Sequence, residues 1–450
     1  MEHVSRYTFL ILLNWLTLVL SLTANAQNPT SETAILFQNV RVFDGKSAAL
    51  SGTSNVLVRG KTIERISMNP IKVEDNVRII EGGNRTLMPG LSDMHWHSML
   101  VRPTPFQLLD SDVGYINLLA GAEATATLMR GFTTVRDMGG ASFGLKRAID
   151  EEILSGPRIY PSGAVITVTS GHGDFRQISD LPRISGTLSH IEHIGGSMIA
   201  DSPDEVRLRV REQLMQGASQ IKLTAGGGVA SPFSPLDVST FTEAELHAAV
   251  EAAENWGTYV ATHAYTTASI QRSIAAGVKV IEHGHLMDED TAKLMADKGI
   301  WLSTQPFLDL TPAAALGPQE QEKLRQVVTG TDRVYELAKK YKIKTAFGTD
   351  ILFSKALAKQ QGNMLAAMKR WYTPAEALIM ATSTNGELLQ LSGLRNPYPG
   401  KLGVVEEGAL ADLLLVEGNH LENLDLVADP ETNFRIIMKD GKIYKNTLSK

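Results

Sequence analysis

Four histidines, one aspartate and one lysine are spaced along this chain in a way that could hold metal ions. His95 and His97 stand two apart in Asp93-Met94-His95-Trp96-His97. Side chains alternate on a strand, so both imidazoles fall on one face. Two neutral imidazoles converging on one point make a clamp for a divalent cation. His263, in Ala261-Thr262-His263-Ala264-Tyr265, and His283, in Ile281-Glu282-His283-Gly284-His285, each follow a short apolar run. Asp350 does the same in Phe347-Gly348-Thr349-Asp350. One such residue is usually a structural hydrogen-bonder; several at successive strand ends are harder to explain that way. Lys222 lies inside Gln220-Ile221-Lys222-Leu223-Thr224 and would face the same interior. An ammonium repels a cation. Either it pairs with a carboxylate, or its amine has added carbon dioxide after desolvation lowered its pKa. The resulting carbamate is anionic, and its two oxygens can bridge two cations.

Composition narrows the chemistry. The chain has 450 residues, 43% hydrophobic and 20% charged, a net charge of −6 and no cysteine. That excludes cysteine nucleophiles, thiolate metal sites, Fe–S clusters and disulfides. The mild charge, without a basic stripe, argues against a nucleic-acid partner.

These residues need a frame that gathers strand ends. Strand-like runs occur at 91–97, 132–135, 158–165, 220–224, 259–262, 278–281, 300–303 and 345–348. Helix signals fall between them: Ser202-Pro203-Asp204-Glu205 to Gly217, Thr242 with Glu245 to Gly257, Asp288 to Gly299, and Thr373-Pro374-Ala375-Glu376. In the second of these, Leu246, Ala249, Val250, Ala253 and Trp256 form the apolar stripe. Strand–helix alternation implies parallel pairing, and eight units over about 310 residues suit a (β/α)8 barrel. A doubly wound open sheet is the alternative, but Ala225-Gly226-Gly227-Gly228 carries neither dinucleotide nor P-loop spacing. Alternating strands and Asp-Gly turns at both ends suggest one small β domain built from both termini. The expected fold is therefore α/β, a (β/α)8 TIM barrel (88–399) with a β-sandwich from segments 27–87 and 400–450.

The first residues read as an export signal. Arg6 precedes an apolar run of about 15 residues, short of the roughly 20 that span a bilayer. Ala24-Asn25-Ala26 then offers a small-residue cleavage site. A leader at 1–26, removed on export to the periplasm or beyond, is expected, leaving no membrane attachment; an uncleaved anchor is the other reading.

The run Pro89-Gly90-Leu91-Ser92-Asp93-Met94-His95-Trp96-His97 resembles the first-strand signature of the amidohydrolase superfamily. Lys222, His263, His283 and Asp350 match its binuclear pattern in order and strand placement. Asn39 to Gly45 and Gly403 to Leu415 resemble its flanking segments. Ile281-Glu282-His283-Gly284 and Thr169-Ser170-Gly171-His172-Gly173 are similar to the imidazolonepropionase-like branch, which holds Xaa-Pro and other dipeptidases and ochratoxinase-like amide hydrolases. The resemblance implies two divalent ions, zinc by default. His95, His97 and Asp350 would hold one, His263 and His283 the other, with carbamylated Lys222 and a hydroxide as bridges. Asp350 would move the proton from attacking water to leaving amine. His172 and Tyr265 would contact the terminal carboxylate of a small-molecule substrate. Amide hydrolysis next to a C-terminal amino acid is then expected, in dipeptides or N-acyl amino acids, with ochratoxin-like acyl groups included. Cyclic-amide or lactone hydrolysis is the alternative, and a non-catalytic periplasmic binding protein a remote third. Deaminases of the superfamily typically use one metal and no carbamylated lysine, so Lys222 speaks against deamination. Homo-oligomers are common in the superfamily. His285 is open between a supporting donor and a surface residue. Arg136-Asp137 is expected to ion-pair structurally, and Ser231-Pro232-Phe233-Ser234-Pro235 to form a loop over the barrel mouth.

Overall fold

Eight parallel strand positions form the middle of the chain: Leu91–Trp96, Phe132–Asp137, Arg158–Pro161, Ile221–Thr224, Val260–Thr266, Val280–Leu286, Trp301–Thr304 and Thr345–Phe347. Each is short and nearly all of its residues are buried, as expected of strands covered by helices on one side and closed on themselves on the other. The computed structural model describes residues 34–183, 186–309 and 317–448; the expected leader at 1–26 lies outside them. Strands four to eight pair in parallel, as do one to three, with register shifts after Ala264 and along the first strand. The ring closes between eight and one, where Asp350 N donates to His95 O at 2.8 Å.

The third strand differs from the expected continuous run. It breaks into Arg158–Pro161, which pairs with the second strand, and Val165–Thr167, which pairs with the fourth. Pro161 has no N–H to continue the ladder, and Ala164 N instead donates to Gln213 Oε1 at 2.9 Å. A further strand, Ser197–Ile199, lies parallel to Val165–Thr167. Its three residues carry no recognisable pattern.

The helix signals hold with small changes. Ser202, Thr242, Asp288 and Thr373 all cap with their side chains, and Gly217 and Gly299 end their helices in the left-handed conformation. Glu205 does not complete a box with Ser202; its carboxylate accepts from Asp201 N. Leu246, Ala249, Val250 and Ala253 are buried, but Trp256 is exposed at the helix end.

The chain ends meet in one eight-stranded sheet. Thr86–Pro89 and Leu413–Val416 pair antiparallel at the junction between its two halves. Val56, Val58, Leu413, Leu415 and Ile436 are among its packed core. Arg158 ties this sheet to the barrel. Its guanidinium forks onto Asp412 at 2.8 and 3.1 Å and also reaches Asp440. Breaking such a buried pair typically costs about 3–5 kcal/mol, because one charge is left unpaired.

Closure leaves no slack at Gly348. A Cβ there would stand 2.7 Å from His95 N and 2.8 Å from His95 Cβ. Gly348→Ala is expected to lower unfolding free energy by about 1–3 kcal/mol through overpacking. Urea titration of the purified variant checks this; a midpoint equal to wild type would show that the barrel seam is looser than its contacts imply.

Candidate metal centre

All six candidate ligands converge. His95, His97, Lys222, His263, His283 and Asp350 line one cavity of about 500 Å³, counting space open to solvent, at the carboxyl ends of the barrel strands. His97 lies one residue beyond its strand yet stays beside His95, ring centroids 5.2 Å apart. Ligand atoms of His95, His283 and Asp350 all lie within 4.8 Å of one another. His283 and Asp350 hold φ of +78° and +52°. A left-handed non-glycine residue costs about 1–3 kcal/mol and persists only where its surroundings hold it.

The hydrogen bonds decide which ring nitrogens are free. His97 Nδ1 faces Gly139 O at 3.2 Å, His263 Nε2 faces Gly227 O at 2.9 Å, and His283 Nδ1 faces Gln305 Oε1 at 2.6 Å. His95 Nδ1 lies 2.8 Å from Glu282 Oε2. Each of those oxygens accepts, so in the neutral ring the facing nitrogen carries the proton and the other keeps its lone pair. The free Nε2 atoms of His95 and His97 then lie 3.4 and 3.1 Å from Asp350 Oδ1. Neutral rings set lone pairs against that carboxylate, and a positive charge among them relieves the repulsion, whether a metal ion, a ring proton or the Lys222 ammonium 3.2 Å from His95 Nε2. This donor set fits a divalent ion, with outer partners of the kind that orient metal-binding histidines.

Charge in the site follows from burial. Desolvation holds His95, His263 and His283 far below the usual imidazole value, helped by Lys222. Burial would raise Asp350, but His95, His97 and Lys222 hold it down to about 2. Burial lowers Lys222 to about 8. Its Nζ meets His95 Nε2 at 3.2 Å rather than a carboxylate. The two carboxylates whose charge it feels, Glu282 and Asp350, are engaged by Arg136 and the histidines. Beneath the site Arg136 donates to Glu282 at 2.5 Å, to Met94 O at 2.7 Å and to Tyr259 Oη at 3.2 Å. Arg136 is thus structural, paired with Glu282 rather than with its neighbour Asp137, which accepts from Ser98 N at 2.8 Å.

The expected substrate residues fall in two places. His172 lines the cavity, its ring 4.2 Å from that of His263 and its Nδ1 3.0 Å from Ser231 Oγ. Gly228 makes room for it: a Cβ there would stand 2.0 Å from His172 Nδ1. Tyr265 lies behind the lining, packed 4.9 Å from both His263 and His283. The 231–235 segment is a loop, and Lys323 of the helix Pro318–Tyr341 donates to Ser231 O at 2.8 Å. His285 is buried, with Nε2 donating to Gln305 O at 3.0 Å, so it is not a surface residue. Leu100, Phe175, Leu352 and Phe353 give the cavity an apolar wall, with Phe175 edge-on to Phe353 at 6.3 Å. Sequence reasoning passed over Gln305 and Lys323. Gln305 directly follows a strand-like run, the same signal that marked His263 and Asp350; Lys323 looks like any helix lysine.

Comparison with known proteins agrees with this geometry. Residues 86–446 match the Amidohydrolase family. Ochratoxinase of Aspergillus niger is 30% identical over 385 residues, covering 80% of this chain and 75% of that protein. A prolidase solved with N-methylphosphonate-L-proline superposes with a TM-score of 0.85 at 31% identity, over 92% of this chain and 100% of that one. A Xaa-Pro dipeptidase with methionine bound in its active site gives 0.78 at 28%, over 92% and 100%. Barrel, ligand geometry and the extent of these matches agree: the chain belongs to the amidohydrolase family and is a hydrolase of amide or peptide bonds.

Proposed function

We propose that this enzyme splits the amide bond to a C-terminal amino acid, in dipeptides or N-acyl amino acids, with two divalent cations held at the barrel mouth. The observation that carries the reading is the convergence of His95 Nε2 and His97 Nε2 on Asp350 Oδ1, beside a buried lysine without a carboxylate partner. His95, His97 and Asp350 would hold one ion, His263 and His283 the other, and Lys222, as a carbamate, would be a ligand to both. Zinc is the default for such donors, and Mn, Co and Fe suit them too. When bound, the pair of ions acidifies a shared water and polarises the scissile carbonyl. Asp350 takes the water's proton and passes it to the departing amine. The apolar wall receives the acyl or amino-acid side chain and keeps water out, while His172 faces the carboxylate end and Tyr265 packs behind the lining. The prolidase and dipeptidase relatives support a peptide-like substrate, and ochratoxinase an aryl-acyl one. Export through the N-terminal leader is part of this proposal, as are a homo-oligomeric state and the absence of nucleic-acid and membrane partners.

Cyclic-amide or lactone hydrolysis is the second reading. Among the described residues no arginine lines the cavity, and a neutral ring substrate needs none. A panel of dipeptides, N-acyl amino acids, their C-terminal amides and simple lactones separates the two. Free acids are expected to be cleaved at least about tenfold faster than their amides, about 1.4 kcal/mol in the transition state. Equal rates, or a preference for lactones, would reverse the choice.

Metal analysis of the enzyme as purified should give two ions per chain, and intact mass under native conditions an added carbon dioxide on Lys222. Lys222→Ala is expected to lower kcat/KM by roughly a thousandfold, several kcal/mol of charge stabilisation. An unmodified lysine in fully loaded, active enzyme would sink the bridging role.

Stripped of metal, the protein should be acid-labile. The folded His95, His263 and His283 stay neutral well below the pH at which unfolded imidazoles, near 6.5, take up protons. The unfolded state therefore binds more protons, and stability present above pH 6.5 is lost as pH falls below it. Thermal melts of chelator-treated protein from pH 8 to 5 test the slope; a flat profile would contradict it.

A further inference from the structure

Barrel strand seven, Trp301–Thr304, supplies no ligand, yet it ends in a residue wired to two of them. Gln305 is fully buried and does not line the cavity. Its Oε1 lies 2.6 Å from His283 Nδ1. An amide oxygen only accepts, so the proton sits on Nδ1 and the lone pair on Nε2. The amide cannot simply flip. Its Nε2 donates to Ser303 O at 3.2 Å, and a turned amide would set its oxygen against that carbonyl. The backbone of Gln305 is held as well: its carbonyl accepts from His285 Nε2 at 3.0 Å and from Phe307 N at 2.9 Å. Phe307 in turn stacks on the His285 ring at 5.3 Å and 17°.

We propose that Gln305 is the positioning residue that sets the proton of His283 on Nδ1, so that Nε2 is free for the cation shared with His263. This rests on the two-ion reading above. The clamp is built from strand seven inward: Phe307 and His285 hold the Gln305 backbone, and Gln305 holds the ring. Without the amide oxygen, His283 has two poor choices. Its Nδ1–H stays buried with no acceptor in hydrogen-bond reach, the next oxygen being Asp350 Oδ2 at 3.9 Å, or the proton moves to Nε2 and removes the lone pair the cation needs. Outer partners of metal-binding histidines typically account for about 10- to 100-fold in affinity. The effect should fall on one ion only, since His97 and Asp350 make no contact with Gln305, and His95 keeps Glu282 as acceptor.

The test is stepwise loading of metal-free enzyme with Co²⁺, followed by absorbance and by equilibrium dialysis. Gln305→Leu is expected to weaken one binding step about 10- to 100-fold and leave the other within about threefold. Gln305→Glu keeps an acceptor for Nδ1–H and should restore the weak step to within about fivefold of wild type. Equal weakening of both steps, no weakening, or no rescue by Gln305→Glu would each overturn the proposal. If wild type itself binds fewer than two ions, the two-ion reading fails rather than the wiring, which a second measurement reads directly. Imidazole ¹⁵N spectra of the metal-free wild type, assigned by loss of a signal in His283→Asn, should show His283 protonated at Nδ1. Protonation at Nε2 would refute the role of Gln305, whatever the variants do.

Discussion

Asp350 Oδ1 faces Nε2 of both His95 and His97, and the barrel mouth is organised around that convergence. Nothing in it is favourable without a positive charge between. The arrangement persists because each partner is held from behind. Gly139, Glu282, Gln305 and Gly227 take the ring protons, and closure of the barrel draws Asp350 N onto His95 O. The left-handed backbone at His283 and Asp350 belongs to the same set of costs, met by packing elsewhere in the barrel.

The base of the site is an ion pair out of reach of water. Arg136 and Glu282 are both fully buried, and Glu282 carries His95 on its second oxygen. A buried pair of this kind is weak as a source of stability but costly to break. Here it fixes a position: Arg136 holds one oxygen of Glu282, which sets the other 2.8 Å from His95 Nδ1. The electrostatics of the mouth are thus set by a residue from strand two that contributes nothing to the cavity surface.

The terminal sheet matters to the site indirectly. It pairs the chain ends through Thr86–Pro89 and Leu413–Val416, and Thr86–Pro89 runs straight into the strand that bears His95. Arg158 anchors the other side through Asp412 and Asp440. Burial would raise the Asp440 carboxyl, but Arg158 and Lys439 hold it below the ordinary range, so this junction remains ionised at neutral pH. The first and third barrel strands are in this way both fastened to one platform.

Sequence alone determined the residue types of the candidate ligands, their order and the class of fold. Strand ends are short-range features: an apolar run, a polar residue at its end and a turn are all set within about seven neighbours. The period of two on strands carries His95 and His97 to one side wherever the strand goes. Cysteine content is likewise independent of fold. Only the tertiary structure decided what each donor faces. The break at Pro161, the Ser197–Ile199 strand, the Arg136–Glu282 pair and the Gln305 contact join residues far apart in the chain, some by more than a hundred positions. Proton positions on imidazoles follow from those distant acceptors, because a ring has two nearly equivalent tautomers until a neighbour chooses between them. Which nitrogens are free for metal is therefore a property of the closed barrel.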